Sequence, residues 1–397
     1  MPGFLSGSRS ATSLEQPSGQ PVSLKDFVLY FLRLGTLGFG GPIALTGYMQ
    51  RDLVERRAWV SERDYKEGLT LAQLAPGPLA AQLAMYLGWA RAGVLGATLV
   101  GVAFVGPSLV MVLALSIAYV RFGGLPWMQG VFYGIGAAVI AIIAQSAIKL
   151  TRITPGWDRF LWVVFGISVL VTAWTESEIF TLFIAAGVVT VLVREVGRGW
   201  AAAVLPLPVW IMPALVSQPA ADLLWKIFLY FGQASLVVFG SGLAIIPFLH
   251  GGVVQQFNWL TERQFLDAIA VSMITPGPVV ITVAFIGYLV AGLAGSLAAA
   301  LGMFLPTYLA VVLAAPYYRR FADNLRVRAF VDGVTAAAIG AIAGAAIVLG
   351  KRALVDLPTV LIALVTFGIM RMTKKIPDPL LIALAGIAGL LLWVPEN

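Results

Sequence analysis

The chain has 397 residues, 59% of them hydrophobic and 11% charged, with a mean hydropathy of +0.91. A soluble domain carries about 25% charged residues, so a soluble globular protein is excluded. Several apolar runs reach the roughly 18 residues needed to cross a hydrocarbon core, which predicts an all-α polytopic membrane protein. Cysteine is absent and His250 is the single histidine. That excludes a disulfide framework, thiolate chemistry and a histidine-built metal cluster, so neither a metal nor a cofactor is expected. The net charge of +7 reads as loop residues held at the cytoplasmic face, not as a nucleic-acid surface.

Residues 1–22 are rich in Ser, Gly and Pro and are expected to form a disordered tail. The first apolar run, 26–48, contains Arg33 and the cluster Gly35, Gly38, Gly40, Gly41 and Pro42. Glycine and proline at this density predict an interrupted helix, and broken backbone at membrane depth is tolerated only where it lines a cavity or is buried in protein. No strand precedes these glycines, so they are not a dinucleotide fingerprint. A basic loop over 50–66 follows (Arg51, Arg56, Arg57, Arg63, Lys66).

Ser61 is placed to cap a helix that begins at Glu62 and ends near Ala75. At 1.5 Å per residue it reaches about 21 Å, short of a core of about 30 Å. Pro76-Gly77-Pro78 then forbids a continuous hydrogen-bond ladder. Apolar helix resumes at Leu79 and runs to Ala90. The segment is either one kinked crossing or a hairpin that returns to its own side. Apolar runs over 92–120 (with a break expected at Gly106-Pro107), 129–148, 159–174 and 179–193 complete this half. A proline-rich linker is expected over 195–221, separating repeats at 23–194 and 222–397. Gly130 with Gly134, and Gly340 with Gly344, form small-xxx-small pairs suited to close helix packing.

The second repeat is legible without gaps. Setting Tyr30–Tyr86 against Tyr230–Ile286 pairs Phe39 with Phe239, Gly40 with Gly240, Trp59 with Trp259, Glu62-Arg63 with Glu262-Arg263, and both Pro-Gly-Pro triplets. Thr261 with Gln264 forms a capping box where the first copy has Ser61 and Asp64. Beyond a one-residue deletion, Pro107 matches Pro306 and Gly134 matches Gly333. Charge is distributed oppositely in the two halves. The basic loop at 51–66 has a copy with only Arg263, whereas the loop at Arg121 has a copy with Arg319, Arg320, Arg326 and Arg328. Equivalent loops on opposite faces are the mark of an inverted repeat. Inversion needs an odd number of crossings, met by five per half plus one re-entrant hairpin.

Pro78 and Pro278 suit the first position of a half-helix. The amides of Leu79, Ala80 and Ala81, and of Val279, Val280 and Ile281, would then be free at mid-membrane. Each helix start carries about half a positive charge, so two facing starts would make an oxyanion site with no central basic side chain. Gln73, Gln82, Ser272, Thr275 and Thr282 are candidate donors beside the breaks Pro76-Gly77-Pro78 and Pro276-Gly277-Pro278. Arg33 is the one basic residue deep in an apolar run and is expected to attract the anion; Gln233 is its mate. Glu67, Asp267 and Asp332 read as charges favoured near helix starts, Glu62-Arg63 and Glu262-Arg263 as latches at the hairpin base, and His250 as a loop residue.

Taken together, Gly38-Phe39-Gly40-Gly41-Pro42, the run Leu71 to Pro78, and the copies Phe239-Gly240 and Thr275-Pro276-Gly277-Pro278 resemble the chromate ion transporter family in its long, duplicated form. Ser241-Gly242 stands where the first half has Gly41-Pro42. The resemblance implies an exporter of chromate in the bacterial inner membrane, driven by the electrochemical gradient, with sulfate as competitor or exchange partner. It implies no enzyme and leaves a homodimer open. The substrate site expected from these motifs includes Gly40, Gly41, Gly240 and Ser241 beside the hairpin residues. An anion channel, or a sulfate or other oxyanion transporter, of the same architecture is the alternative.

Overall fold

The computed structural model describes residues 22–39, 41–122, 126–153, 159–175, 180–195, 223–238, 245–317, 324–373 and 376–393. The tail expected over 1–22 and the linker over 195–221 lie outside the described residues, apart from Val22 and Glu195. The first half comprises α1 (Leu24–Leu37), α2 (Gly41–Met49), α3 (Glu62–Leu74), α4 (Leu79–Phe122), α5 (Pro126–Ile153), α6 (Arg159–Thr175) and α7 (Phe180–Glu195). The second half repeats that order as α8 (Leu223–Val237), α9 (Ile245–Leu249), α10 (Glu262–Ile274), α11 (Thr282–Ala314), α12 (Leu325–Ala353), α13 (Leu357–Met372) and α14 (Asp378–Leu392).

The halves match in local detail as well as in order. The Ser61 side chain accepts from the Asp64 amide, and Thr261 and Gln264 form the full capping box. The stretch after α2 is not the open loop that its charge suggests. It winds as a π-helix, Gln50–Arg56, and the same rare turn recurs at His250–Gln256. Each π-helix ends with one carbonyl, Leu53 or Val253, accepting from the two amides that follow the turn. The turns themselves put Ala58 at φ 49° and Asn258 at φ 50°.

The 44 residues of α4 are two helices folded on each other. Ala92 (φ −146°, ψ 31°) and Gly93 (φ 58°, ψ −146°) turn the chain, and Ala291 (φ −145°, ψ 31°) and Gly292 (φ 61°, ψ −150°) do the same in α11. An inner arm, 79–91, therefore runs against an outer arm, 94–122. Gly88 faces Gly96 so closely that a Cβ on either would overlap the other's carbonyl. No second bend occurs at Gly106-Pro107, where α4 stays helical.

Gly68 of α3 lies against Tyr86 and Leu83 of the inner arm, residues placed almost symmetrically about Gly77. The Pro-Gly-Pro segment is thus the tip of a hairpin and not a kink in a rod.

The outer helices are exchanged between halves. α6 and α7 of the first half pack on α12 of the second, while α13 and α14 pack on α5. The small-residue pairs make these seams. Gly134 meets the Ala385 carbonyl and the Gly389 backbone, and Gly340 and Gly344 meet Phe165, Ser168, Val169 and Thr172. Arg194 of α7 reaches Asp332 of α12 at 2.7 Å; Asp332 lies inside its helix and not at the start.

Leu293, Leu297, Leu301, Leu305, Leu309 and Leu313 of α11 all point outward, a stripe with a four-residue step. Large exposed apolar faces of this kind are foreign to a soluble monomer and natural against lipid. Among the described residues, four helical stretches are long and apolar enough to cross a membrane.

Candidate functional site

The two hairpin tips are buried in the seam between the halves, and each is held by the other half. The Gly77 amide donates to the Val238 carbonyl at 2.6 Å, and the Gly277 amide donates to the Gly38 carbonyl at 2.9 Å. Gly38 and Val238 follow the last residues of α1 and α8, so the bonds are a reciprocal pair. Hydroxyls one residue beyond the matched prolines complete the exchange. Ser108 of α4 donates to the Pro276 carbonyl at 2.7 Å and lies 3.3 Å from the Gly35 carbonyl. Thr307 of α11 lies 3.0 Å from Ser235 and sits against Gly77. The outer arms also meet where Thr98 and Tyr308 share a hydrogen bond of 2.8 Å.

Gly77 (φ +133°) and Gly277 (φ +98°) occupy backbone conformations that L side chains rarely adopt. With the tips so bent, the first backbone bond of the inner arm is Gln82 N–H to Pro78 O at 3.0 Å. The amides of Leu79, Ala80 and Ala81 precede that ladder, in residues 6%, 1% and 0% exposed. The second copy enters differently. Val279–Ile281 form a 3-10 turn whose first bond is Ile281 N–H to Pro278 O at 3.0 Å. Val279 and Val280 therefore supply the leading amides there, while the Ile281 amide, expected to be free, is bonded. Buried N–H groups without a partner are costly, so such starts favour an acceptor from outside the helix.

The expected side-chain donors are largely committed to the hairpins themselves. Gln82 is fully buried and its amide nitrogen holds the Ala75 and Pro76 carbonyls at 3.2 and 2.7 Å. Its Oε1 is buried without a partner among the described residues. Ser272, Thr275 and Thr282 each donate to a carbonyl three or four residues earlier. These groups shape and stiffen the tips. Gln73 is exposed on α3, whereas Gln233 is buried on α8. Gly41 is described, at φ 74°; Gly40, Gly240 and Ser241 lie outside the described residues.

Arg33 is not brought to the tips. It lies on the exposed side of α1 with Leu29, Leu32 and Leu37, opposite the buried face of Phe27, Phe31, Leu34 and Gly35. An apolar run fixes the depth of a residue but not the face it occupies, and a long arginine stem lets the charge seek the interface.

His250 departs from its expected place in a loop. It is 3% exposed and bonds Glu262 at 2.8 Å, latching the base of the second hairpin. In the first copy the corresponding ion pairs stay within α3, Glu62 with Lys66 at 2.6 Å and Arg63 with Glu67 at 3.1 Å.

Sequence reasoning passed over Ser108, Thr307 and the Tyr119–Asp267 bond of 2.7 Å. The first two carried a signal, a hydroxyl residue directly after each matched proline. The third joins residues that no periodicity relates.

With this geometry in view, comparisons with known proteins identify the lineage. The chain matches the chromate transporter family over residues 25–191 and again over 225–390. It is 58% identical over 377 residues to a chromate transport protein of Cupriavidus metallidurans, covering 94% of each chain. A probable chromate transport protein of Synechococcus elongatus is 54% identical over 377 residues, covering 94% of this chain and 96% of its own. The chromate transport protein of Pseudomonas aeruginosa is 29% identical over 392 residues, covering 94% and 93%. No solved structure matches. Twice matched by one family over most of its length, and built of apolar helices with large exposed apolar faces, the chain is a multi-pass membrane protein of the chromate transporter family.

Proposed function

We propose that the protein is a secondary active transporter that exports chromate across the bacterial inner membrane, with the two Pro-Gly-Pro tips as its substrate site. The observation that carries this reading is the reciprocal exchange between Gly77 and Val238 and between Gly277 and Gly38, which buries both tips in one seam. A tetrahedral dianion is met there by the leading amides of Leu79, Ala80, Ala81, Val279 and Val280 and by the positive ends of two helices. The glycines at the tips keep side chains out of the approach. Gln82 and the hydroxyls of Thr275 and Thr282 hold the tips in shape, and Gln233 is the buried amide nearest in role to a side-chain ligand.

The halves form inverted repeats of five crossings and one re-entrant hairpin each. The reciprocal bonds support a two-fold relation between the halves, because such a relation makes each contact occur twice, and the opposite charge of equivalent loops supports its inverted sense. Alternating access is then a rocking of one set of helices against the other about the seam. Sulfate competes as an isostere, and export lowers intracellular chromate and confers resistance.

The test is radiolabelled chromate flux in liposomes containing the purified protein, with and without imposed gradients and with sulfate as competitor. Saturable flux that follows a gradient and is inhibited by sulfate is expected. Flux that rises linearly with concentration overturns the carrier in favour of a channel, and no chromate flux removes the substrate.

A further inference from the structure

We propose that Asp267, held by Tyr119, is the group that binds and releases the proton coupling anion movement to the proton gradient. The proposal rests on the transport reading and goes beyond it by naming the coupling ion and its site.

Asp267 lies on α10, the first half-helix of the second hairpin, and is 5% exposed. Its Oδ2 accepts from the Tyr119 hydroxyl at 2.7 Å. Tyr119 belongs to the outer arm of α4, in the other half. Its ring is fixed edge-on between Phe132 at 5.5 Å and Phe285 at 5.2 Å. Phe285 is on the inner arm of the same hairpin as Asp267, so the tyrosine reaches into that hairpin from outside.

The equivalent acid in the first half is disposed otherwise. Glu67 is paired with Arg63 at 3.1 Å, one turn earlier on α3 and exposed, and also accepts from the Tyr86 hydroxyl of its own half at 3.4 Å. Asp267 is one methylene shorter, Arg263 one turn earlier is exposed, and among the described residues no cation lies within ion-pair distance of Asp267. Of the other charged groups on the elements packed around α10, Arg91 of α4 bonds the Val22 carbonyl and Arg121 lies over the Phe122 ring. His250 of the π-helix bonds Glu262, Lys149 of α5 faces Asp378 of α14, and Tyr133 of α5 bonds Asp356.

One hairpin therefore carries a half-buried carboxylate paired with a cation, and the other a buried carboxyl whose hydrogen-bond partner is a neutral hydroxyl from the other half, with Arg263 beyond ion-pair distance. A buried carboxylate without a cation is costly, and taking up one proton removes the charge. The phenol serves both states, donating to a carboxylate or accepting from a carboxylic acid. Because this bond joins the two halves, any movement of one against the other must break or remake it. Protonation then biases the same equilibrium that exposes the anion site. The step is one proton bound by the Asp267 carboxylate from one side and released from the carboxylic acid to the other; no other bond changes and no electrons move.

The test uses the full chain in liposomes with a pH-sensitive dye inside, recording chromate flux and proton movement together. Wild type should move protons with chromate and speed up under an imposed pH gradient. Asp267→Asn should retain chromate exchange between equal concentrations but lose both the proton movement and the response to the gradient. Tyr119→Phe, a smaller change, should displace the pH profile of flux, and Glu67→Gln should leave coupling intact. Wild-type chromate flux without proton movement, or Asp267→Asn or Tyr119→Phe with coupling and pH profile unchanged, overturns the proposal. Absence of chromate flux in wild type would instead overturn the transport reading.

Discussion

At the scale of single residues, the tips depend on what cannot be added to them. A Cβ at Gly277 would overlap the Ser108 hydroxyl, whereas one at Gly77 would stand 2.8 Å from Thr307 Oγ1 and Gln82 Nε2. Both substitutions also incur the cost of a positive φ, about 1–3 kcal/mol. Gly277→Ala should therefore destabilise the protein more than Gly77→Ala, and Ser108→Ala in the Gly277→Ala background should restore part of the loss. Thermal unfolding in detergent measures this; equal costs, or no rescue, would show that the Ser108 contact does not govern the site. Pro-Gly-Pro is legible in the sequence because proline and glycine act on their own backbone. Ser108 and Thr307 are marked by their place after the matched prolines, but their partners are not legible, because those are chosen by which helices cross. Arg33 illustrates the same limit from the other side, since hydropathy reports depth and is silent about the direction a residue faces.

At the scale of elements, helix boundaries follow from local chemistry and helix partners do not. Ser61 and Thr261 start α3 and α10 where capping requires, and the turns at Ala92-Gly93 and Ala291-Gly292 separate arms whose boundary the sequence shows to within a residue or two. The π-helices were hidden, because both stretches read as loop, the first by its charge and the second as its copy. Small-xxx-small spacing marks Gly134 as a packing residue without naming α14 as the partner. The structure supplies that partner and a control two residues away. Gly134 is pressed on Ala385 and Gly389, while Gly136 on the same helix has nothing near it. Gly134→Ala should cost at least the 1–3 kcal/mol or so typical of overpacking, and Gly136→Ala, whose Cβ meets nothing within 4 Å, should not destabilise, since alanine is favoured over glycine in a helix interior by about 0.5–1 kcal/mol. Comparable melting shifts for the two would mean that α14 does not dock on α5 through this seam.

At the scale of the whole molecule, inversion is the claim with the widest reach. Arg57 and Gln256 close equivalent π-helical turns, and both are exposed. The chain has no cysteine, so Arg57→Cys and Gln256→Cys each place a single thiol for an impermeant reagent. Labelling from opposite sides of intact cells is expected, and labelling of both from one side defeats the inverted arrangement. The duplication is legible in the sequence because it is written in identities and charge, yet the exchange of outer helices is not, since each half's pattern is equally satisfied by packing on itself. That exchange bears on how the molecule comes into being. When α6 and α7 leave the ribosome, the surface they will cover has not been synthesised, because α12 lies more than a hundred residues downstream. They must wait in lipid for it, so the early half stays unfinished until the late one arrives, and the timing of synthesis enters the assembly of the transporter.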